Sequence, residues 1–156
     1  MTVCVERFGE EHPLCDRSQT AMLLVFLVVW GVDSWYGFTL CGFLCPWMLR
    51  AAAGLVLVGF GGYIVGEAHE LVIDGEPAGL VDWGVYALVR HPMYLGTLLM
   101  YLGLALTTIS AASIALLPAF FYAYDGFAAY EERRLVEALG KDYLAYMMRV
   151  RRWVPF

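Results

Sequence analysis

The sequence predicts an all-α, polytopic membrane protein: four transmembrane helices in a single domain, followed by an amphipathic C-terminal segment in the cytosol. Three observations carry that expectation. The 156 residues are 61% hydrophobic and only 16% charged, too little polar surface for a soluble chain of this length. The apolar residues come in blocks rather than at alternating positions, the pattern of helices that cross a bilayer. Finally, thirty-three consecutive residues, Pro92 to Tyr124, contain no Asp, Glu, Lys, Arg or His.

Residues 1–19 are polar and aperiodic and read as a loose arm without the features of a cleavable signal, since Glu6, Glu10, Glu11 and Asp16 stand against Arg7 and Arg17. Ser18 or Thr20 is placed to cap a first span over 21–38. Its one charge, Asp33, has two readings. It is either a bundle-facing carboxylate, costly enough in a membrane to imply a role, or a residue of the far interface beside Trp35 and Tyr36. Gly37 to Pro46 reads as a turn. A second span over 47–66 is rich in small residues, and Gly62 and Gly66 form a small-xxx-small pair that lets helix backbones approach closely.

Residues 67–89 read as a loop with five carboxylates, His69, and turn formers at Asp74-Gly75 and Pro77 to Gly79. Solvation accounts for most of that loop; His69 and Tyr86 stand apart from it. Pro92 has no amide proton and a fixed φ, which suits the first turn of a helix and keeps His91 out of helical conformation. Arg90 and His91 are thereby held at the polar end of an apolar helix, either as a snorkelling interface anchor or as part of a site. The uncharged stretch exceeds the roughly 20 residues of one span and suits two. These run over 93–109 and 111–130, joined by a polar break at Thr107 to Ser113. Pro118 is placed to kink the returning helix, with Asp125 one turn before its polar end. Glu131-Glu132-Arg133-Arg134 then opens an amphipathic segment in which Leu135, Leu139, Tyr143 and Tyr146 form one apolar stripe, with Gly140 as a break point. Arg149 to Phe156 is a basic and aromatic interface anchor by composition.

The net charge of −5 is uneven: residues 131–156 hold six of the ten Lys and Arg. That tail marks its side as cytoplasmic, so four spans put both termini there, and only Arg50 falls at the opposite end. The tail suits anionic membrane lipids. No basic stripe suits a nucleic acid. Cys4, Cys15, Cys41 and Cys45 have no nearby His and read as apolar filler rather than metal ligands.

Two stretches carry a resemblance. Gly84-Val-Tyr-Ala-Leu-Val-Arg-His-Pro-Met-Tyr-Leu-Gly96 resembles the signature of the isoprenylcysteine carboxyl methyltransferase family. Glu131-Glu132, with Leu135, Gly140, Tyr143, Tyr146 and Arg152 to Pro155, resembles its C-terminal block. The likeness runs from about His69 to Phe156, and its Arg-His-Pro-x-Tyr-x-Gly core is shared with membrane phospholipid methyltransferases. It implies an integral-membrane methyltransferase that uses S-adenosylmethionine on a lipophilic acceptor from the bilayer. The implied cofactor region comprises 67–96 and 127–156 at the cytosolic face. By the same resemblance His69, Leu71, Val72, Tyr86, His91, Pro92, Met93, Tyr94, Gly96, Glu131 and Glu132 are cofactor-binding positions, with Glu131 on the cofactor's amino group. Arg90 and Arg152 are directed to the substrate.

The chemistry of the residues agrees with those roles. A zwitterionic sulfonium needs a fixed anion and aromatic faces, for which Glu131, Tyr86 and Tyr94 are available. In-line methyl transfer depends mainly on alignment. A carboxylate acceptor needs no base, whereas an amine or thiol needs one, with His69 or His91 available. The chain also departs from the pattern. Phe127 stands four residues before Glu131, where the family carries an Arg associated with the substrate carboxylate. The acceptor therefore lacks a buried carboxylate, or Arg90, Arg133 or Arg152 pairs with one. Glu76 to Trp83 looks inserted, and the first two spans match only in character. The alternatives are a phospholipid, amine or thiol methyltransferase of the same superfamily, a membrane lipid or sterol reductase using NADPH, and a non-catalytic scaffold.

Overall fold

A computed structural model describes residues 15–37, 46–74 and 79–154, and all regular structure in them is helical. Helix α1 is Cys15–Gly37, α2 is Trp47–His69, α3 is Pro92–Thr108, α4 is Ala111–Leu139 and α5 is Lys141–Arg149. A π-helical turn, Glu70–Asp74, extends α2, and a 3₁₀ turn, Gly84–Ala87, precedes α3. Cys4, Cys41, Cys45, the side chain of Cys15, most of the expected arm and first turn, Glu76 and Pro77 of the inserted stretch, Pro155 and Phe156 lie outside the described residues.

Among the described residues three helices are long and apolar enough to cross a membrane: Arg17–Tyr36, Trp47–Val72 and Ala111–Leu139. The fourth, α3, is apolar but has 17 residues. At 1.5 Å per residue it reaches about 25 Å, short of a hydrocarbon core of about 30 Å.

The expected boundaries move in three places, each time because a polar residue reads as a helix end in the sequence. No Gly or Pro lies between Pro13 and Gly31, so α1 begins at Cys15 and carries Ser18 and Thr20 inside it rather than as caps. Helix α2 does not end at residue 66. It continues to His69 and through the π turn to Asp74, because Ala68 and Val72, one turn apart, both bury their side chains. The region expected as loop from Glu67 is therefore helical over its first eight residues, Glu67 to Asp74. Helix α4 likewise passes residue 130 and runs to Leu139 with Pro118 inside it. Gly140, at φ 57°, ends it as expected.

Helices α2 and α3 pack backbone to backbone. A Cβ on Gly61 would lie 2.5 Å from the Gly96 carbonyl oxygen, and one on Gly54 would lie 2.5 Å from that of Gly103. The contact thus uses Gly54 and Gly61, whereas a Cβ added to the expected Gly62 or Gly66 would meet nothing within 4 Å. This antiparallel register brings the His69 end of α2 beside the His91 end of α3. It also yields a prediction. Gly96→Val should force the helices apart, and overpacking at such a contact costs about 1–3 kcal/mol, read as a lower thermal midpoint in detergent. Gly62→Val should leave that midpoint unchanged.

The α3–α4 turn lies where the sequence places it. Ile109 adopts φ 52°, and buried Ser110 caps α4 by accepting from the Ser113 amide at 3.2 Å. Asp33 resolves to the bundle-facing reading. Its Oδ2 accepts from Ser110 Oγ at 2.7 Å and from the Ala112 amide at 3.2 Å, which ties α1 to the N-terminus of α4. Trp30 donates to the Leu104 carbonyl at 2.8 Å, and Ser34 and Thr108 share a 2.7 Å hydrogen bond. Between these polar ties and the opposite end, Phe26, Tyr94, Tyr101, Ala105, Phe120, Tyr124 and Ala128 form the core of the bundle. A second cluster of Tyr143, Tyr146 and Val150 holds α5 against Leu135, Val136 and Leu139, so the expected apolar stripe packs as one face despite the break at Gly140.

Candidate functional site

At the end of the bundle away from Ser110, the start of α3 faces the polar third of α4. Pro92 occupies the first helical position and leaves His91 non-helical at φ −123°, ψ 64°. From there the buried imidazole reaches both carboxylates of α4. Nε2 is 3.2 Å from Glu132 Oε1, and Nδ1 is 3.5 Å from Glu131 Oε2. Tyr94, near the start of α3, stacks on the imidazole with ring centroids 5.8 Å apart and donates its hydroxyl to Glu131 Oε1. Arg90 Nε approaches Glu132 Oε1 at 2.9 Å, a charge contact outside hydrogen-bond angles. Its Nη1 donates to the Met147 and Val150 carbonyls at 3.1 and 3.2 Å, and its amide donates to the Arg151 carbonyl at 3.0 Å.

These bonds fold the C-terminal segment back over the site. Arg152 donates from Nε and Nη2 to the two oxygens of Glu132, at 3.0 and 2.5 Å, a paired geometry that specifies orientation as well as charge. Its Nη1 reaches Asp125 Oδ1 at 2.8 Å, and the Trp153 indole donates to the same oxygen at 2.8 Å. Tyr146 donates to the Tyr86 carbonyl at 2.7 Å, so α5 also pins the 3₁₀ turn. Asp125, Trp153, Tyr143 and Tyr146 are not among the site residues that the sequence predicts. For Asp125 a signal is present: it precedes Glu132 by seven residues, two turns along one helix face.

The two adjacent carboxylates are thus placed differently. Glu132 is saturated by Arg90, Arg152 and His91. Glu131 has Tyr94 and His91 alone among the described residues, which leaves it acceptor capacity. Burial pulls the His91 pKa down, but the hydrogen bonds and charges of Glu131 and Glu132 outweigh it, and the net effect raises the pKa above 6.5. The ring thus lies between the two carboxylates, with one nitrogen toward each.

The structure gathers Arg90, His91, Tyr94, Glu131, Glu132 and Arg152 into one polar cluster. His69, Leu71, Val72 and Tyr86 form a second group, on the α2 side of the same end. Val72 is buried, and Leu71 packs on Gly84, whose φ of +61° lets the chain turn there. Pro92 is buried at the helix start, while Met93 is partly buried beside it. Gly96 does not reach the cluster, because its α-carbon faces the Gly61 carbonyl in the helix contact.

A model of the phospholipid methyltransferase family matches residues 49–142, nearly all of α2 and the whole of α3 and α4. The chain belongs to this family. It is also 38% identical over 84 residues to protein-S-isoprenylcysteine O-methyltransferase A of Arabidopsis thaliana, and 38% identical over 93 residues to protein-S-isoprenylcysteine O-methyltransferase B of the same plant. Those matches cover 52% and 58% of this chain and 42% of each relative, so the chain spans under half the length of the relatives it matches. No solved structure matches it significantly. The family region contains both carboxylates and the Arg90–His91–Pro92 junction; α1, Arg152 and Trp153 lie outside it.

Proposed function

We propose that this protein is an integral-membrane methyltransferase that takes its methyl group from S-adenosylmethionine and delivers it to a lipophilic acceptor. The observation that carries the reading is the division of labour between Glu131 and Glu132. A donor with an amino-acid moiety and a sulfonium requires a buried anion that is held in place yet still has acceptor capacity. Glu131 meets both conditions: Tyr94 and His91 fix it without exhausting its lone pairs. The residues present therefore fit the donor, which when bound supplies an electrophilic methyl group on sulfur.

The chain's own residues then have separate tasks. Glu131 holds the donor's ammonium, and Tyr94 and His91 hold Glu131. Glu132 keeps Arg90 and Arg152 in place, so that the segment from Val150 to Trp153 covers the site and excludes water. His69, Leu71, Val72 and Tyr86 line the α2 side. Titration of the detergent-purified protein with S-adenosylhomocysteine and, separately, with NADPH tests the assignment. Saturable binding of the first and none of the second is expected. Binding of NADPH alone would turn the site into a reductase centre, and binding of neither would leave a scaffold.

The acceptor is read from Phe127, Arg90 and Arg152. Phe127 packs edge-on against Tyr124 in the core, with centroids 6.3 Å apart, so no cation enters from that position. Arg90 and Arg152 are both engaged by Glu132, and Arg133 is exposed. An acceptor carboxylate would share Arg90 or Arg152 with Glu132, which keeps its other arginine and His91. The preferred acceptor is accordingly a lipophilic carboxylate of the isoprenylcysteine kind, with a lipid amine or hydrophobic thiol as the alternative. In a side-by-side assay a farnesyl-cysteine analogue should be methylated faster than lipid amines or hydrophobic thiols, and Arg90→Ala or Arg152→Ala should slow its turnover. Faster turnover of the amines or thiols by the unaltered protein would reverse the assignment.

The basic tail and Arg90 support a cytoplasmic location for the site and both termini, with α3 as a fourth, short span. Ala111→Cys, at an exposed position beside buried Ser110 and in a background without the native cysteines, should then react with an impermeant label only from the opposite side.

A further inference from the structure

At the far end of the bundle lies Arg50, a cation that the methyl-transfer chemistry does not use. It sits on the face of α2 that carries Gly54 and Gly61, one turn before Gly54. Since a Cβ on Gly54 would meet Thr107, Arg50 falls beside the C-terminal end of α3 and the turn that follows. The residue is only 8% exposed, and its Nε and Nη1 have no hydrogen-bond partner among the described residues. A guanidinium does not neutralise itself by losing a proton, so a buried one needs an anion.

The described residues offer little at that end. Among the described residues Asp33 is the carboxylate of this end, and it is committed to Ser110 and the Ala112 amide, without an ion pair to Arg50. The linking residues 38–45, Phe-Thr-Leu-Cys-Gly-Phe-Leu-Cys, contain no acidic side chain. The C-terminal dipole of α3 supplies partial negative charge, about half a unit at most. Among the described residues, a positive charge with two directed donors is left without a matching anion.

Depth indicates what that anion is. Trp35, Tyr36 and Trp47 are exposed at the same end, 81%, 68% and 60% respectively. Exposed Trp and Tyr mark the level of lipid headgroups. Arg50 sits about one helical turn inside that level, roughly 5 Å, within reach of a headgroup phosphate and far from bulk solutes. We propose that the Arg50 guanidinium is a binding site for the phosphate of a membrane phospholipid in the leaflet opposite the polar cluster. Fork-shaped recognition of phosphate oxygens is what guanidinium geometry favours. The lipid bound there is a structural ligand, separate from any acceptor.

The test is retention of lipid by the full chain, followed by native mass spectrometry and thermal unfolding after delipidation. Three probes are added back: phosphatidylglycerol, diacylglycerol of the same acyl chains, and inorganic phosphate. Phosphatidylglycerol should bind one per chain and raise the unfolding midpoint, whereas diacylglycerol and inorganic phosphate should do neither at equal concentration. In Arg50→Met its affinity should fall about ten- to a hundredfold, the worth of hydrogen bonds to a charged group. The delipidated variant should unfold no earlier than delipidated parent protein, because an apolar residue replaces an unpaired buried charge. Equal stabilisation by diacylglycerol, full effect from inorganic phosphate, or undiminished lipid binding by Arg50→Met would each overturn the proposal. If Arg50→Met does not fold, Arg50→Lys, which keeps the charge and loses the fork, takes its place, and undiminished lipid binding by it would overturn the proposal equally. S-adenosylhomocysteine binding reports on the other end of the bundle, so the two assignments fail independently.

Discussion

Glu132→Ala should be the most destabilising single substitution at the end of the bundle that holds the polar cluster. The side chain is 5% exposed and contacts Arg90, His91 and Arg152. Its removal strands one well-buried guanidinium, one partly exposed guanidinium and a buried imidazole. Breaking a buried ion pair from one side costs about 3–5 kcal/mol, and the partial exposure of Arg152 places the expectation toward the lower figure. The loss should appear as a lower unfolding midpoint and as proteolysis after Arg149, because Arg152 and Trp153 would lose the anchor that folds the tail back. Glu132→Ala with unchanged stability would mean that Asp125 and Glu131 together replace it. Asp125→Asn should have a smaller effect, since that carboxylate is 40% exposed and Arg152 would keep its paired bonds to Glu132.

Glu131→Gln should behave in the opposite way, sparing the fold and losing the donor. An amide still accepts from Tyr94, so the helices stay in register. It cannot supply the charge that holds an ammonium. A hydrogen bond to a charged group contributes about 1.5–3 kcal/mol, so affinity for S-adenosylhomocysteine should fall about ten- to a hundredfold. An unchanged affinity would move the ammonium contact off Glu131. The two substitutions separate a structural carboxylate from a binding one at adjacent positions. That separation is not visible from Glu-Glu in the sequence.

What is legible follows from backbone chemistry. Pro92 sets the start of α3 through its fixed φ, Ser110 caps α4 with its hydroxyl, and Gly140 ends α4 because glycine tolerates a positive φ. The apolar stripe from Leu135 to Tyr146 is legible for a similar reason, since its period survives the break. Charge is a poorer guide. Glu67 and Glu131 read as helix ends, yet α2 and α4 continue past both: Glu131 meets Tyr94 and His91, and Glu67 is only partly buried. Which small residues touch is also hidden. The repeat at Gly62 and Gly66 is as good a motif as Gly54 and Gly61, and only the position of α3 chooses between them. Asp33 has two readings in the sequence because its partner, the N-terminus of α4, lies 77 residues away at Ser110. The return of Arg152 to Asp125 and Glu132 is a tertiary event that no local pattern announces.

The central claim is that the donor occupies the space between α3, the polar third of α4 and the segment after α5. Hydrogen–deuterium exchange on the detergent-purified protein, with and without saturating S-adenosylhomocysteine, tests it most directly. The account predicts slower exchange in peptides containing His69 to Val72, Tyr86 to Leu95 and Arg149 to Val154, with no change in peptides around Asp33, Arg50 or Ser110. Slower exchange confined to the Asp33, Arg50 and Ser110 end, or none near His91 despite saturable binding, would contradict it.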